Sequence, residues 1–226
     1  MTTLTASPLA DVLARLFAES DASETALREA RGKRSPEERQ RMSAQQGDYR
    51  EFYLQMKDYH LAVSRETATL IYMMARSIGA RSIVEYGTSF GLSTLHLAAA
   101  LRDNGGGRLI GSEFAPTKVA QARRNIAEAG VSDLVEIRDG DALETLARDL
   151  PETIDFVLMD GAKNLYPAIL SLIEPRLRPG ALIVADNADR SPDYLARVRA
   201  PDGGFLSVPF AEDVELSMRT GGAKGP

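Results

Sequence analysis

From Ser64 onward, short apolar runs alternate with stretches in which apolar residues return every three or four positions. The runs are SIVEY (82–86), RLIGSE (108–113), LVEIR (134–138), IDFVLMD (154–160) and ALIVAD (181–186). Helical spacing fills 91–102, 116–129, 141–149, 164–176 and 192–199. Strands that are apolar along their whole length and separated by helices predict a parallel sheet covered on both faces. Ser64 stands as the N-cap of a helix reaching Ile78, with Ala68, Ile71, Met74, Ala75 and Ile78 on one face and Gly79 at its end. Pro116 and Pro192 occupy first-turn positions, and Gly130 follows a helix end. FLSVPF (205–210) and VELSMR (214–219) predict two closing strands, at least one of them antiparallel.

The first 60 residues read as helices only, an extension ahead of an α/β domain over 61–220, with 221–226 as a frayed tail. Ser7-Pro8 opens the helix LADVLARLF, and Ser35-Pro36-Glu37-Glu38 carries a capping box for a second helix. A third is expected over Tyr49–Tyr59, while Asp21–Lys33 is polar enough to be loose. The basic stretch Arg28–Arg41 alternates with Glu29, Glu37 and Glu38, the pattern of a solvated helical face.

Composition narrows the chemistry. A chain of 226 residues suits one α/β domain with additions at its edge. The net charge of −5 gives no bulk attraction to nucleic acid or to an anionic membrane. With no cysteine, disulfides, thiolate metal sites and cysteine nucleophiles are excluded. Only His60 and His96 offer imidazoles, so a bound metal must rely on oxygen, which points to Mg²⁺, Mn²⁺ or Ca²⁺. No apolar stretch approaches the ~20 residues of a membrane span and no signal-peptide pattern opens the chain, so a cytoplasmic protein is expected.

The first strand ends at Glu85-Tyr86, followed by Gly87 and then Gly91. Ligands of open α/β sheets bind beyond the carboxyl ends of the strands, where small residues let backbone approach closely and the next helix offers free N–H groups. Glu113 ends the second strand, about 20 residues on, where a carboxylate can accept the hydroxyls of a ribose. A plain tight turn would also use two glycines, but Glu85, Ser93 and Glu113 all support a nucleoside site. A dinucleotide fingerprint needs a third glycine to grip a pyrophosphate, and here it is missing. The negative charge of Glu85 beside the turn suits instead a ligand carrying an ammonium and a sulfonium, S-adenosylmethionine.

The fourth strand ends at Asp160, followed by Gly161-Ala162-Lys163, and the fifth at Asp186-Asn187. If these strands are neighbours, about 4.8 Å apart, three oxygen-bearing side chains converge at the ligand-binding edge. Two carboxylates and an amide oxygen form a hard-cation site, with Mg²⁺ the natural occupant. Capping of turns is the other use Asp and Asn have at such positions. Lys163 follows three residues after Asp160. A phenol-like hydroxyl titrates near ~10 and a lysine near ~10.4, so lysine alone is a poor base at neutral pH. A divalent cation would do most of the activation by stabilising the deprotonated oxygen.

Together these residues resemble the cation-dependent O-methyltransferases of the catechol and caffeoyl-CoA type, bacterial branch. The resemblance runs from Leu61 to Asn187 through four ordered motifs: LAVS, IVEYGTSFGLST, IDFVLMDGAKNLY and LIVADN. It implies the class I, Rossmann-like methyltransferase fold: a seven-stranded, mostly parallel sheet with helices on both faces, N-terminal helices at the substrate mouth, and a homodimer. It also implies that Val63 contacts the methionine end of the cofactor through its backbone. Glu85, Gly87 and Ser93 would hold the amino-acid part, Glu113 the ribose and Phe114 the adenine, with Asp141 near the adenine edge or acting only as a helix N-cap. Asp160, Asp186 and Asn187 would bind Mg²⁺ or another hard divalent cation, with Asp160 also beside the cofactor, and Lys163 would be the catalytic lysine. The acceptor implied is a small, hydroxylated aromatic molecule. Two departures stand out: Ala162 replaces a carboxylate frequent in relatives, and ADRS (188–191) replaces a glycine-containing loop that borders the acceptor. The aromatic set Phe52, Tyr53 and Tyr59 either lines the pocket or, the commoner use, packs an amphipathic helix. A cation-independent methyltransferase with another acceptor, such as nitrogen, and a cofactor-binding protein without turnover are the alternative readings.

Overall fold

The computed structural model describes residues 2–32, 35, 49–210 and 213–221. Its strands are β1 (Ser82–Tyr86), β2 (Arg108–Glu113), β3 (Val135–Asp139), β4 (Ile154–Met159), β5 (Leu177–Ala185), β6 (Phe205–Pro209) and β7 (Glu215–Arg219). They form one sheet in the order β3-β2-β1-β4-β5-β7-β6. The first five pair in parallel, whereas β7 runs antiparallel to both β5 and β6. Both closing strands lie where FLSVPF and VELSMR place them, and both pairings of β7 are antiparallel. β5 begins at Leu177, ahead of the expected Ala181, and a register shift between Ile154 and Phe156 absorbs the extra residues.

The helices are α1 (Leu9–Gly32), α2 (Tyr49–Gln55), α3 (Arg65–Ser77), α4 (Leu92–Asp103), α5 (Pro116–Glu128), α6 (Ala142–Thr145), α7 (Tyr166–Ile173) and α8 (Pro192–Arg199). Ser64 caps α3 by accepting the Thr67 N–H at 3.0 Å. Ala68, Ile71 and Ala75 of the expected face are buried, and Met74 and Ile78 pack against them.

Four expectations change, one being that the helix expected over Tyr49–Tyr59 stops at Gln55. Asp21–Lys33 is not loose, because α1 continues through it to Gly32. Its polarity is used rather than idle: Arg28 pairs with Glu24 one turn away, Asp21 takes Arg65 at 2.8 Å, and Ser23 Oγ accepts the His60 N–H. The helix expected over 141–149 stops at Thr145. There the Arg138 guanidinium takes the carbonyls of Thr145, Arg148 and Asp149, while Asp149 turns to φ 52°. The helix expected over 164–176 becomes α7 flanked by 3₁₀ turns, with Pro175, which lacks an N–H, inside the second. The helix expected after Ser35 lies outside the described residues.

One face of the sheet is covered by α1, α3, α4 and α5, whose Leu9, Val12, Leu16, Ile71, Leu97 and Ile126 join Ile83 and Leu158 in a single core. The other is covered by α7 and α8, with Tyr166, Ile169, Leu170 and Tyr194 fully buried. Among the described residues no helix is long and apolar enough to cross a membrane.

Candidate functional site

Strand order reverses between β1 and β4, and a cavity of about 520 Å³ opens there beyond the strand ends. Gly87 sits at φ +100°, and a Cβ at this position would meet the Asp160 carbonyl oxygen at 2.5 Å. Glycine is required twice over, by conformation and by space. The turn is held by Glu113, whose carboxylate accepts the Ser89 N–H and the Ala115 N–H, each at 2.8 Å. Burial pushes the Glu113 carboxyl up, against the pull of these N–H groups and of Lys118.

Glu85 is placed differently from the expectation of direct contact. It is wholly buried beneath the turn and accepts Ser93 Oγ at 2.7 Å, Thr94 Oγ1 at 2.5 Å and Thr88 Oγ1 at 3.1 Å. Burial raises its pKa to about 7 although the three hydroxyls oppose the shift. Neither Glu85 nor Ser93 lines the main cavity; Ser93 borders a small hollow beside it with Leu61, Ala62 and Ser89. The pair supports the turn from below. Gly111 completes this support, since a Cβ there would meet Thr88 Oγ1 at 2.4 Å. Sequence reasoning overlooked it because it stands mid-strand without a turn signal.

Val63, Gly87, Glu113, Phe114 and Asp141 all line the cavity. Asp141 caps α6 through the Leu143 N–H at 3.0 Å, and its second oxygen takes Tyr49 Oη and the Arg50 guanidinium, both at 2.6 Å. Burial acts to raise its pKa, but these donors win and hold it below the usual carboxylate range. Phe52 and Tyr53 also line the cavity, so part of the aromatic set faces the site as well as packing edge to face. Lys118 is a second omission from the sequence reading: it is 2% exposed and lines the cavity in the first turn of α5. A cation opposes the helix dipole there, which is the signal that could have exposed it.

At the other end, Asp160, Lys163, Asp186 and Asn187 converge as β4 and β5 pair Met159 with Ala185. Lys163 is buried and donates to Asp160 Oδ1 at 2.8 Å. Burial, then the charge of Asp160, push Asp186 up to about 7, while Lys163 opposes them. Asn187 adopts a left-handed conformation, and its Nδ2 donates to Asp213 Oδ2 at 3.0 Å. Asp213, from the link before β7, was not foreseen because that link reads as an ordinary acidic turn. Tyr166 Oη lies 2.6 Å from the Met159 carbonyl and 2.8 Å from that of Asp186, tying the two strand ends together. Tyr86 Oη accepts the Ala162 N–H at 2.9 Å and fixes the chain between Asp160 and Lys163.

Two carboxylates in repulsion beside an amide oxygen are a donor set that a hard divalent cation fits. Among the described residues, no three His, Cys, Asp or Glu side chains gather as a metal group, so the third protein donor would be the amide. On the nucleoside side, the Gly87 cradle, the Glu113 carboxylate and the Phe114 ring fit an adenosine-bearing ligand.

A methyltransferase-domain family model matches residues 84–188. Catechol O-methyltransferase of Niastella koreensis is 36% identical over 138 residues, covering 60% of this chain and 62% of that protein. The Mycobacterium tuberculosis protein of the same name is 35% identical over 136 residues, covering 60% and 61%. The crystal structure of the O-methyltransferase from Bacillus cereus, in complex with SAH, superposes with a TM-score of 0.64 at 25% identity, covering 78% of this chain and 92% of that one. This chain has the fold of the O-methyltransferases, and its central segment is similar to a methyltransferase domain. It spans about three fifths of the length of the curated relatives it matches. The matched segment holds Glu85, Gly87, Glu113, Asp141, Asp160, Lys163, Asp186 and Asn187, and leaves Val63 and the aromatic residues of α2 outside it.

Proposed function

We propose that the chain is an S-adenosylmethionine-dependent O-methyltransferase. Its acceptor is a small, hydroxylated, aromatic molecule with two adjacent oxygens, and a divalent cation such as Mg²⁺ assists. The observation that carries this reading is the meeting of Asp160, Lys163, Asp186 and Asn187 in the same cavity as the Gly87 turn, which packs directly on Asp160. When bound, S-adenosylmethionine would supply an electrophilic methyl group. Val63, Gly87 and Asp160 border its methionine end, Glu113 receives the ribose, and Phe114 with Asp141 flanks the adenine. Asp160, Asp186 and Asn187 would hold the cation, which would supply a Lewis acid that favours the deprotonated acceptor oxygen. Lys163, an ammonium paired with Asp160 at 2.8 Å, would give up a proton to solvent as the cation takes Asp160, and would then receive the hydroxyl proton. Tyr53 and Phe52 flank the acceptor ring, and much of the acceleration comes from holding its oxygen in line. A homodimer fits the apolar surface that Leu206, Val208 and Phe210 expose at the sheet edge.

The test is methyl transfer from labelled S-adenosylmethionine to a panel of vicinal diols. Asp160→Ala and Lys163→Ala should each abolish product while titration calorimetry still detects the cofactor. Full activity in EDTA would remove the cation from this reading. The existing Lys163–Asp160 ion pair favours a second reading, a cation-independent methyltransferase in which Lys163 alone neutralises Asp160. Cofactor binding without product on any acceptor would leave a binding protein.

A further inference from the structure

Three cations line the cavity: Lys118, Lys163 and Arg190. Lys163 is committed to Asp160. Lys118 is buried on the nucleoside side, 5.3 Å from the centre of the Phe90 ring and in the field of Glu113. Arg190 differs from both. It is exposed at the rim, and among the described residues no carboxylate lies within ion-pair distance of its guanidinium. Elsewhere in the C-terminal part of the chain, Arg178 pairs with Asp155, Arg197 and Arg219 with Glu174, and Arg199 with Glu215.

The backbone that presents Arg190 is well anchored. It ends the 3₁₀ turn Ala188–Arg190, directly after Asp186-Asn187. The Ala188 N–H donates to the Asp213 carbonyl at 2.8 Å, Arg190 N–H to the Asn187 carbonyl at 3.1 Å, and Ser191 N–H to the Ala188 carbonyl at 2.9 Å. Ala188, Ser191 and Tyr194 are buried beneath it. This is the ADRS segment. The positive charge of Arg190 reaches the phenol of Tyr53, which also feels Asp160. The acceptor end is thus a slot with carboxylates and a lysine at its floor, an aromatic wall at Tyr53, and one uncommitted cation at its rim.

We infer that Arg190 selects acceptors in which the vicinal diol is carried on a ring that also bears a carboxylate. The inference rests on the diol-methylating reading above and adds to it the charge of the acceptor's far end. A guanidinium binds a carboxylate through two parallel hydrogen bonds, a match that a neutral or cationic tail lacks. Asp213 also lines this side of the cavity and repels anions, so an anionic tail is favoured only through Arg190.

The experiment compares dihydroxybenzoate, the matching dihydroxybenzamide and the matching dihydroxybenzylamine on the full chain and on Arg190→Gln. Exposure of the side chain makes this variant safe for folding, checked by an unchanged melting temperature. The wild-type ratio of kcat/KM for benzoate over benzamide should fall about 10- to 100-fold in the variant, mostly through KM, with benzylamine gaining. A wild-type ratio within twofold of unity, or one unmoved by Arg190→Gln, overturns the inference. Calorimetric binding of dihydroxybenzoate to the protein loaded with S-adenosylhomocysteine separates the two levels. Arg190-dependent binding without turnover of any diol sinks the methyltransferase reading and keeps the charge selection. Binding that ignores Arg190 sinks the charge selection even where turnover is seen.

Discussion

Tyr49 Oη donates to Asp141 Oδ2 at 2.6 Å, joining residues 92 positions apart. The bond closes α2 over the end of β3 and places the Tyr49 ring edge-on to Phe114, with centroids 6.5 Å apart. Tyr49→Phe keeps the ring and removes the bond. The loss should be about 1 kcal/mol, confined to α2. Hydrogen exchange of the amides of 49–55 should quicken several-fold with little change in those of β1 or β4. Uniform acceleration across the sheet would contradict a local latch.

Lys163→Ala tests the proton acceptor. The turnover number should drop by roughly 10²- to 10⁴-fold while the cofactor dissociation constant moves little. Lys163→Arg should not restore the rate, because a guanidinium stays protonated. A variant that merely raised KM would make Lys163 a binding residue instead.

Gly161→Ala tests the packing under the site. A Cβ there would fall 2.3 Å from the Tyr86 ring, which is buried and bonded to Ala162. The expected cost is about 1–3 kcal/mol in urea unfolding. Gly32→Ala, with nothing within 4 Å, is the control and should change stability far less.

Glu85 makes stability depend on pH. Its carboxyl titrates near 7 when folded, against 4.5 ordinarily. Between those values the unfolded chain has released a proton that the folded chain still binds. Stability therefore falls as pH rises through that window and levels off above it. Glu85→Gln removes the dependence, so its stability relative to the parent should improve from acid to mildly alkaline buffer, by on the order of 3 kcal/mol. A constant difference across that range would contradict the buried, proton-holding carboxyl.

The parallel strands β1, β2, β4 and β5 were legible because each has a largely apolar run that needs burial on both faces, whereas β3 (VEIRD) is a half-polar edge strand. The residues at strand ends, Asp160 and Asp186-Asn187, were legible for the same reason: strand registry dictates where they meet. What could not be read depends on long-range partners. Arg138 ends α6 by taking three carbonyls, and nothing local in residues 141–149 announces it. Likewise, Glu85 carries the same charge whether it faces a ligand or three hydroxyls of α4 and the turn. Only the fold shows that Thr88 and Thr94 stand beside it. Arg190 was one letter in an unfamiliar loop until the fold set it at the cavity rim with no carboxylate partner among the described residues.

The hydroxyl of Tyr166, set between the carbonyls of Met159 and Asp186, has a thermodynamic consequence. It holds Asp160 and Asp186 together from the interior, so their mutual repulsion is met when the chain folds. On the proposed reading, an arriving cation would find its ligands already gathered and would spend little binding energy on rearrangement. Such a molecule gives up stability for readiness: variants that relax the two carboxylates should melt later and, if a cation binds there, hold it more weakly.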